Sequence, residues 1–153
     1  MKPVTFQCSH LIPRSAAEIC SAAADTDLWS SFKGYGILPG IEKASYDKRT
    51  EDMLGSRIRV RSTDGSEYIE EIYKWVPGKE IGMRFCEFTP PLSNLASHFT
   101  EEWTLVEKNN ATQVTRSFQM FPKQAAARPV LWLISLFFRR AIQLQLAQMA
   151  ALA

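Results

Sequence analysis

The chain has 153 residues, of which 46% are hydrophobic and 22% are charged. This composition is typical of a globular domain and excludes a disordered or collagen-like chain, so we expect a single domain over residues 1–153. Lys and Arg total 18 and Asp and Glu total 16, and the resulting net charge of +2 gives no reason to expect a nucleic-acid partner.

The cysteines and the apolar runs bear on the compartment. Cys8, Cys20 and Cys86 are scattered and match no disulfide framework or zinc spacing, which favours a reducing compartment. The N-terminal residues lack the apolar core of a signal peptide, and the longest apolar run, residues 130–138, is shorter than the ~20 residues of a membrane span. We therefore expect a cytoplasmic protein without a transmembrane segment.

The first part of the chain predicts one strand and two short helices. Residues 3–12 alternate between apolar and polar side chains, which is the period of a half-buried β-strand. Pro13 ends that strand, and Ser15 with Glu18 has the spacing of a capping box at the start of a helix. Asp25 and the residues after it predict a second short helix.

The rest of the chain predicts strands joined by tight turns, then a long helix. Asp64-Gly65, Pro77-Gly78 and Asn109-Asn110 are turn sequences. The predicted strands cover residues 41–48, 56–63, 66–76, 79–88, 97–107 and 112–121. Pro129, a residue favoured at the first helical position, predicts a last helix that reaches about residue 151.

The turn positions also predict which residues face each other. A two-residue loop at Asp64-Gly65 places Ile58 opposite Glu71, and a hairpin centred on Gly78 places Glu71 opposite Phe85. The apolar faces of both hairpins then coincide on the strand they share. The predicted interior residues are Ile58, Val60, Ile69, Tyr73, Met83, Phe85, Phe99 and Trp103, and the predicted solvated face carries Arg57, Arg59, Arg61 and Glu70.

Several short motifs occur in a characteristic order along nearly the whole chain. They are Pro13 with Ser15-Ala16-Ala17-Glu18-Ile19, Asp27-Leu28-Trp29-Ser30-Ser31-Phe32, Leu38-Pro39-Gly40-Ile41, Gly55-Ser56-Arg57, Tyr73-Lys74-Trp75-Val76-Pro77-Gly78-Lys79 and Ala111-Thr112-Gln113-Val114-Thr115. With these motifs the chain resembles the START/SRPBCC superfamily, which includes the birch-allergen-like proteins and the polyketide cyclase/dehydrase family. The resemblance implies an α+β helix-grip fold, a seven-stranded antiparallel sheet wrapped around a long C-terminal helix with two short helices after the first strand. It also implies an apolar cavity between sheet and helix.

Charged residues on predicted apolar faces are candidates for a polar site. Glu71 and His10 fall among apolar neighbours, and the Asn109-Asn110 turn makes Glu101 and Arg116 diagonal neighbours on one face. A lone buried charge is costly, so these groups must pair, change protonation or contact a polar ligand. Three interpretations stay open: a structural Glu101–Arg116 ion pair stacked on Trp103, an anchor for the polar end of an apolar ligand, or an acid–base pair of His10 with a carboxylate such as Glu71 or Glu101.

The expected function follows from the implied cavity. The predicted ligand-binding residues are Tyr73, Met83, Phe85, Phe99, Trp103, Phe118, Leu133, Phe137, Glu71, Glu101, Arg116 and His10. The sequence has no HExxH, CxxC, glycine-rich phosphate loop or GxSxG motif, so we expect neither a metal nor a cofactor. We expect an intracellular carrier for a lipid, quinone or polyketide-like molecule, with a mouth near residues 34–40 and 89–95. The alternative is a cyclase/dehydratase-type enzyme that uses acid–base residues in the same cavity, with no catalytic residue assigned.

The last helix carries apolar residues on more than one side. At about 100° per residue, one stripe is predicted to face the sheet: Val130, Leu133, Ile134, Phe137, Ala141 and Leu144. Trp132 and Leu136 fall on the opposite arc. They predict either a covering loop or a contact patch, most simply a homodimer through this helix.

Overall fold

The computed structural model describes residues 1–152. The chain forms β1 (Val4–Ile12), α1 (Ala16–Ala24), a 3₁₀ helix (Thr26–Ser31), β2 (Ile41–Lys48), β3 (Arg57–Ser62), β4 (Glu67–Val76) and β5 (Glu80–Cys86). It continues with α2 (Leu92–Leu95), β6 (Ala96–Lys108), β7 (Ala111–Pro122), a 3₁₀ turn (Ala125–Ala127) and α3 (Arg128–Ala151). The predicted α+β helix-grip fold is confirmed.

One antiparallel sheet of seven strands, in the order β1-β7-β6-β5-β4-β3-β2, forms the body of the protein. The chain crosses from edge strand β1 to edge strand β2 through α1, whose first turn is capped as predicted. The Ser15 hydroxyl accepts a hydrogen bond from the Glu18 amide at 3.2 Å and donates to its carboxylate at 3.1 Å. α3 packs along β1 and over the inner face of the sheet.

The β3–β4 hairpin differs from the predicted register by one residue. Ser62 donates its amide to the Ser66 carbonyl at 2.8 Å, so the loop has three residues instead of two. Its last residue, Gly65, has φ +88°, the left-handed conformation that closes such loops. Ile58 therefore pairs with Glu70 and not with Glu71.

A β-bulge at Tyr73 shifts the β4–β5 hairpin as well. Trp75 pairs with Ile81 as predicted, but Ile72 instead of Tyr73 pairs with Met83. A bulge inserts one unpaired residue and changes the face of every residue beyond it. On the part of β4 that precedes the bulge, both predicted registers placed Glu71 where the structure has Glu70. Because both were shifted by the same one residue, the two predicted apolar faces still coincided.

These two shifts exchange the faces of β4. Glu70 and Ile72 lie inside, with Glu70 only 4% exposed, whereas Tyr73 is 41% exposed on the outer face over Gly82. Glu71 also faces outward and pairs with Arg57 at 2.5 Å. Ile69 is buried, but on the face opposite to the predicted one. Arg59 and Arg61 are exposed as predicted, and Arg59 pairs with Asp47 instead of Glu70.

The sheet-facing side of α3 also differs from the prediction. The helix buries Leu131, Ser135, Phe138, Ala141, Ile142 and Leu146, while Val130, Leu133 and Leu144 of the predicted stripe are exposed. Its first turns are apolar nearly all round, so periodicity there selects no face. Ser135 is tolerated inside because its hydroxyl donates to the Trp132 carbonyl at 2.5 Å.

Candidate functional site

A cavity of about 640 Å³ lies between the inner face of the sheet and α3. This volume is within the range of small-molecule sites, roughly 300–1,000 Å³. Much of its apolar wall comes from β5, α2, β6, α3 and the segment between β5 and α2: Met83, Phe85, Phe88, Leu92, Leu95, Phe99, Trp103, Ile134, Phe138, Ile142 and Met149. The fold therefore leaves room in the interior for an apolar molecule.

Two connecting segments contribute to the lining of the cavity. One contains Ile37 and Leu38, which precede β2, and the other contains Thr89 and Pro91, which precede α2. Ile37 is 65% exposed, so this part of the lining includes a large apolar side chain in contact with solvent. Both segments fall in the ranges predicted for the mouth, and the position of the mouth stays a prediction.

Aromatic rings form a continuous part of the wall. Tyr68 stacks on Phe85 with centroids 5.5 Å apart, and Phe99 contacts Phe88 at 4.9 Å and Phe138 at 6.2 Å. Rings in such mutual contact add packing energy beyond simple burial and hold one another in position. The apolar wall is thus well ordered by its own contacts.

A buried ion pair marks the polar end of the cavity. Arg116 on β7 donates Nε–H to Glu101 on β6 at 2.6 Å, and the two side chains are 7% and 2% exposed. The Arg116 Nη1 group also donates to the Gln145 amide oxygen on α3. The guanidinium carbon lies 4.4 Å from the Trp103 ring centroid, a cation–π contact. The predicted Glu101–Arg116 pair and its stacking on Trp103 are both present.

Glu70 adds a second buried carboxyl to this end of the cavity. Burial, and next the negative charge of Glu101, raise the pKa of Glu70 well above its ordinary value of 4.5. Burial and the same two glutamates raise the pKa of the Tyr68 hydroxyl as well. This shift favours the protonated form of Glu70, which is able to donate a hydrogen bond in an apolar surrounding.

Trp103 has one unmatched polar atom. Within residues 1–152, the indole Nε1 of Trp103 is the one buried side-chain nitrogen or oxygen that has no hydrogen-bond partner. An unpaired buried donor costs about 1–3 kcal/mol, which is tolerated in functional sites more often than elsewhere. This unpaired Nε1 belongs to the indole ring on which the Arg116 guanidinium stacks.

The structure brings six of the predicted site residues to the cavity: Met83, Phe85, Phe99, Trp103, Glu101 and Arg116. Their role in ligand binding stays a prediction. The other six lie elsewhere: Tyr73, Glu71, His10, Leu133, Phe137 and Phe118.

Each displaced residue has a physical reason. Tyr73 and Glu71 face outward because of the register shifts, and Leu133 is on the outer side of α3. Phe137 contacts Tyr35 at 6.3 Å outside the cavity. His10 is half-buried near the end of β1 and bonds the neighbouring Leu11 carbonyl at 3.0 Å.

Phe118 is buried in the core instead of at the cavity. It stacks on Phe6 at 4.7 Å and contacts Phe138 at the same distance. Sequence reasoning missed Glu70, Tyr68, Phe88, Phe138 and Gln145. Alternation along β4 contained the signal for Tyr68 and Glu70, but only with a three-residue loop before that strand.

Two further properties bear on the chemistry. Within residues 1–152 no group of three or more His, Cys, Asp and Glu side chains is arranged to hold a metal ion. The segment Ala125–Ala151 is long and apolar enough to cross a membrane by length and composition alone. In this fold it is the helix that closes one side of the core and the cavity.

Solved structures share this architecture. The Zhui aromatase/cyclase from Streptomyces sp. R1128 matches with a TM-score of 0.74 and 14% identity over 97% of this chain and 92% of that chain. A START superfamily protein from Mycobacterium smegmatis matches with a TM-score of 0.68 and 13% identity over 95% and 98%. Ara h 8.0201 matches with a TM-score of 0.64 and 13% identity over 95% and 99%. At these identities the likeness shows the fold alone.

The sequence itself also matches a protein family. A search of curated protein sequences found no significant match. The model of the family described as polyketide cyclase / dehydrase and lipid transport matches residues 3–153, which include every strand and helix described above. The chain belongs to the polyketide cyclase/dehydrase and lipid transport family.

Proposed function

We propose that this protein is an intracellular carrier for a hydrophobic small molecule, a lipid, quinone or polyketide-like compound. The observation that carries the proposal is the cavity of about 640 Å³ with apolar walls and one polar end. Sites of this kind bury the apolar body of a ligand and orient it with a few polar groups. The family description, which includes lipid transport, supports the same function.

A matched pair of variants on α3 tests the cavity. Ile134 lines it, whereas the adjacent Leu133 is 48% exposed on the outer side. We expect wild type to bind an apolar fluorescent dye such as ANS saturably, Ile134→Trp to bind it at least tenfold more weakly, and Leu133→Trp to bind like wild type. Native mass spectrometry of freshly purified protein identifies any co-purified ligand.

The outcome that contradicts the carrier function is specific. If wild type shows no saturable binding of the dye, or if the variants at positions 133 and 134 bind it equally well, the dye does not occupy this cavity. Circular dichroism of both variants shows whether the fold is retained.

The second candidate is a cyclase/dehydratase-type enzyme, and Glu70 is the observation that favours it. A buried carboxylic acid whose pKa is raised is able to act as a general acid on a carbonyl or a departing hydroxyl. Of the acid–base candidates from sequence, Glu71 faces outward and His10 lies on β1 outside the lining of the cavity. Glu70→Gln should then abolish turnover of a reactive polyketone and leave its binding unchanged. Equal turnover in wild type and variant would exclude this role.

The setting of the protein is part of the proposal. Cys8, Cys20 and Cys86 are all free and buried, which suits the reducing cytoplasm.

We also propose that two copies associate through the outer side of α3, where Trp132 and Leu136 are 54% and 46% exposed. In an antiparallel pairing of two such helices, Arg139 and Arg140 of each copy lie toward opposite ends of the contact and do not repel one another.

A further inference from the structure

The charges at the polar end of the cavity are already balanced without a ligand. Arg116 forms a salt bridge with Glu101 at 2.6 Å, and this pair is closed on its other side by Gln145. Glu70, 4% exposed, lines the same cavity but does not belong to this hydrogen-bonded set. Burial and the nearby Glu101 carboxylate favour the neutral form of Glu70, and with Glu70 in that form the side chains of Glu70, Glu101 and Arg116 carry no net charge.

This balance restricts the head group that the cavity accepts. A carboxylate or phosphate would place a second negative charge beside Glu101 in a low-dielectric interior, where such repulsion is costly. An ammonium group would have to displace the proton of Glu70 and lose its own hydration. A neutral oxygen acceptor needs neither change, because the protonated Glu70 is able to donate a hydrogen bond to it.

We propose that the cavity selects uncharged ligands whose polar end is a carbonyl-type oxygen, and that Glu70 is the residue that binds this oxygen. Tyr68, two residues before Glu70 on β4, also faces the cavity beside it. The wall of Phe85, Phe99 and Phe138 holds the apolar body of the ligand. This inference rests on the proposed binding function and adds the chemical class of the ligand.

Four pyrene derivatives that differ only in the head group test the inference: acetylpyrene, ethylpyrene, pyrenecarboxylate and pyrenemethylamine. Each is titrated into wild-type protein at neutral pH, with energy transfer from tryptophan as the readout. We expect acetylpyrene to bind about tenfold tighter than ethylpyrene, the value of one net hydrogen bond. The two ionised probes should bind more weakly than ethylpyrene.

Three variants assign the effect to Glu70. Glu70→Leu should remove the preference for acetylpyrene over ethylpyrene while ethylpyrene still binds. Glu70→Gln keeps a neutral donor at this position and should retain most of the preference. Glu71→Leu, the adjacent residue on the outer face, is the matched control and should bind all four probes like wild type.

The outcomes separate this inference from the carrier function. If ethylpyrene binds as tightly as acetylpyrene, or if either ionised probe binds most tightly, the inference is wrong and the carrier function stands. If none of the four probes binds, the carrier function fails and the inference fails with it. A preference for acetylpyrene that survives in Glu70→Leu would assign the contact to another residue and overturn the role of Glu70.

Discussion

Two adjacent glutamates on β4 have opposite environments. Glu70 is 4% exposed in the interior, while Glu71 faces outward in a salt bridge with Arg57. The difference comes only from the alternation of a strand, since neighbouring side chains point to opposite faces. The interior carboxyl is costly to ionise, and its neutral form is the one that suits an apolar cavity. The protonation state of Glu70 thus affects both the stability of the fold and the chemistry of the cavity.

Stability should therefore depend on pH through Glu70. The pKa of Glu70 is raised in the folded state above its ordinary value of 4.5, so the folded state keeps a proton that the unfolded state loses as pH rises. The contribution of Glu70 to the free energy of unfolding then falls with rising pH, by about 1.4 kcal/mol per pH unit, until Glu70 ionises in the folded state. Glu70→Gln should lose this slope in urea unfolding as the pH is raised from about 5.

Glu71→Gln is the control for this experiment, because it leaves Glu70 in place and should keep the wild-type slope. Parallel stability profiles for wild type and Glu70→Gln would mean that Glu70 ionises in the folded protein as it does in water.

At the scale of elements, the loop 33–39 packs against α3 beside the cavity. Tyr35 contacts Phe137 on α3, and the neighbouring Gly36 lies directly against the same ring. Gly36 has φ +57°, and a Cβ built there would lie 2.5 Å from the ring. The position thus requires glycine both for its backbone conformation and for the close approach of loop and helix. The same loop brings Ile37 and Leu38 to the cavity lining, so we expect this approach to control access to the cavity.

Gly36→Ala should therefore move the loop away from α3 and open the mouth. We expect bound dye to be released several times faster in a stopped-flow displacement experiment. The strained φ alone should cost about 1–2 kcal/mol of stability. Gly78→Ala is the matched control, because Gly78 has φ +73° with its nearest neighbour atom, the Ala16 Cβ, at 3.9 Å from the added Cβ. Equal release rates in both variants would show that the loop contact does not limit exchange.

At the scale of the whole molecule, α3 has apolar residues on two sides with different partners. Its inner side packs on the sheet and lines the cavity through Ile134, Phe138 and Ile142. Its outer side exposes Trp132 and Leu136 without a covering element among the described residues. Large apolar side chains clustered on a surface mark contact sites more often than scattered ones do. The proposed homodimer would cover them.

Sedimentation velocity at high protein concentration tests the dimer. We expect wild type to sediment as a dimer and Trp132→Glu with Leu136→Lys to sediment as a monomer that still binds dye, because the changes lie outside the cavity. Gln148→Glu, an exposed change farther along α3, should leave the dimer intact. A wild type that remains monomeric would exclude association through this face.

The sequence by itself determined the order of the strands, the two helices after β1, the long last helix and the register of the β6–β7 hairpin, but not the short helix α2. Residues Lys108 and Ala111 close a two-residue turn, so counting from it pairs Trp103 with Arg116 correctly and brings Glu101 to the ion pair. Local alternation and turn chemistry are sufficient there because no bulge interrupts the count between the turn and the site. The Glu101–Arg116 ion pair of the candidate site could therefore be predicted.

Only the tertiary structure decided which glutamate of β4 lies inside and which side of α3 faces the sheet. A third loop residue before β4 and the bulge at Tyr73 each change the face by one position, and both sequence counts omit them. The first turns of α3 are apolar nearly all round, so its orientation was selected by packing against β1 and the cavity. Where local patterns are degenerate, the burial that the whole fold achieves selects the arrangement.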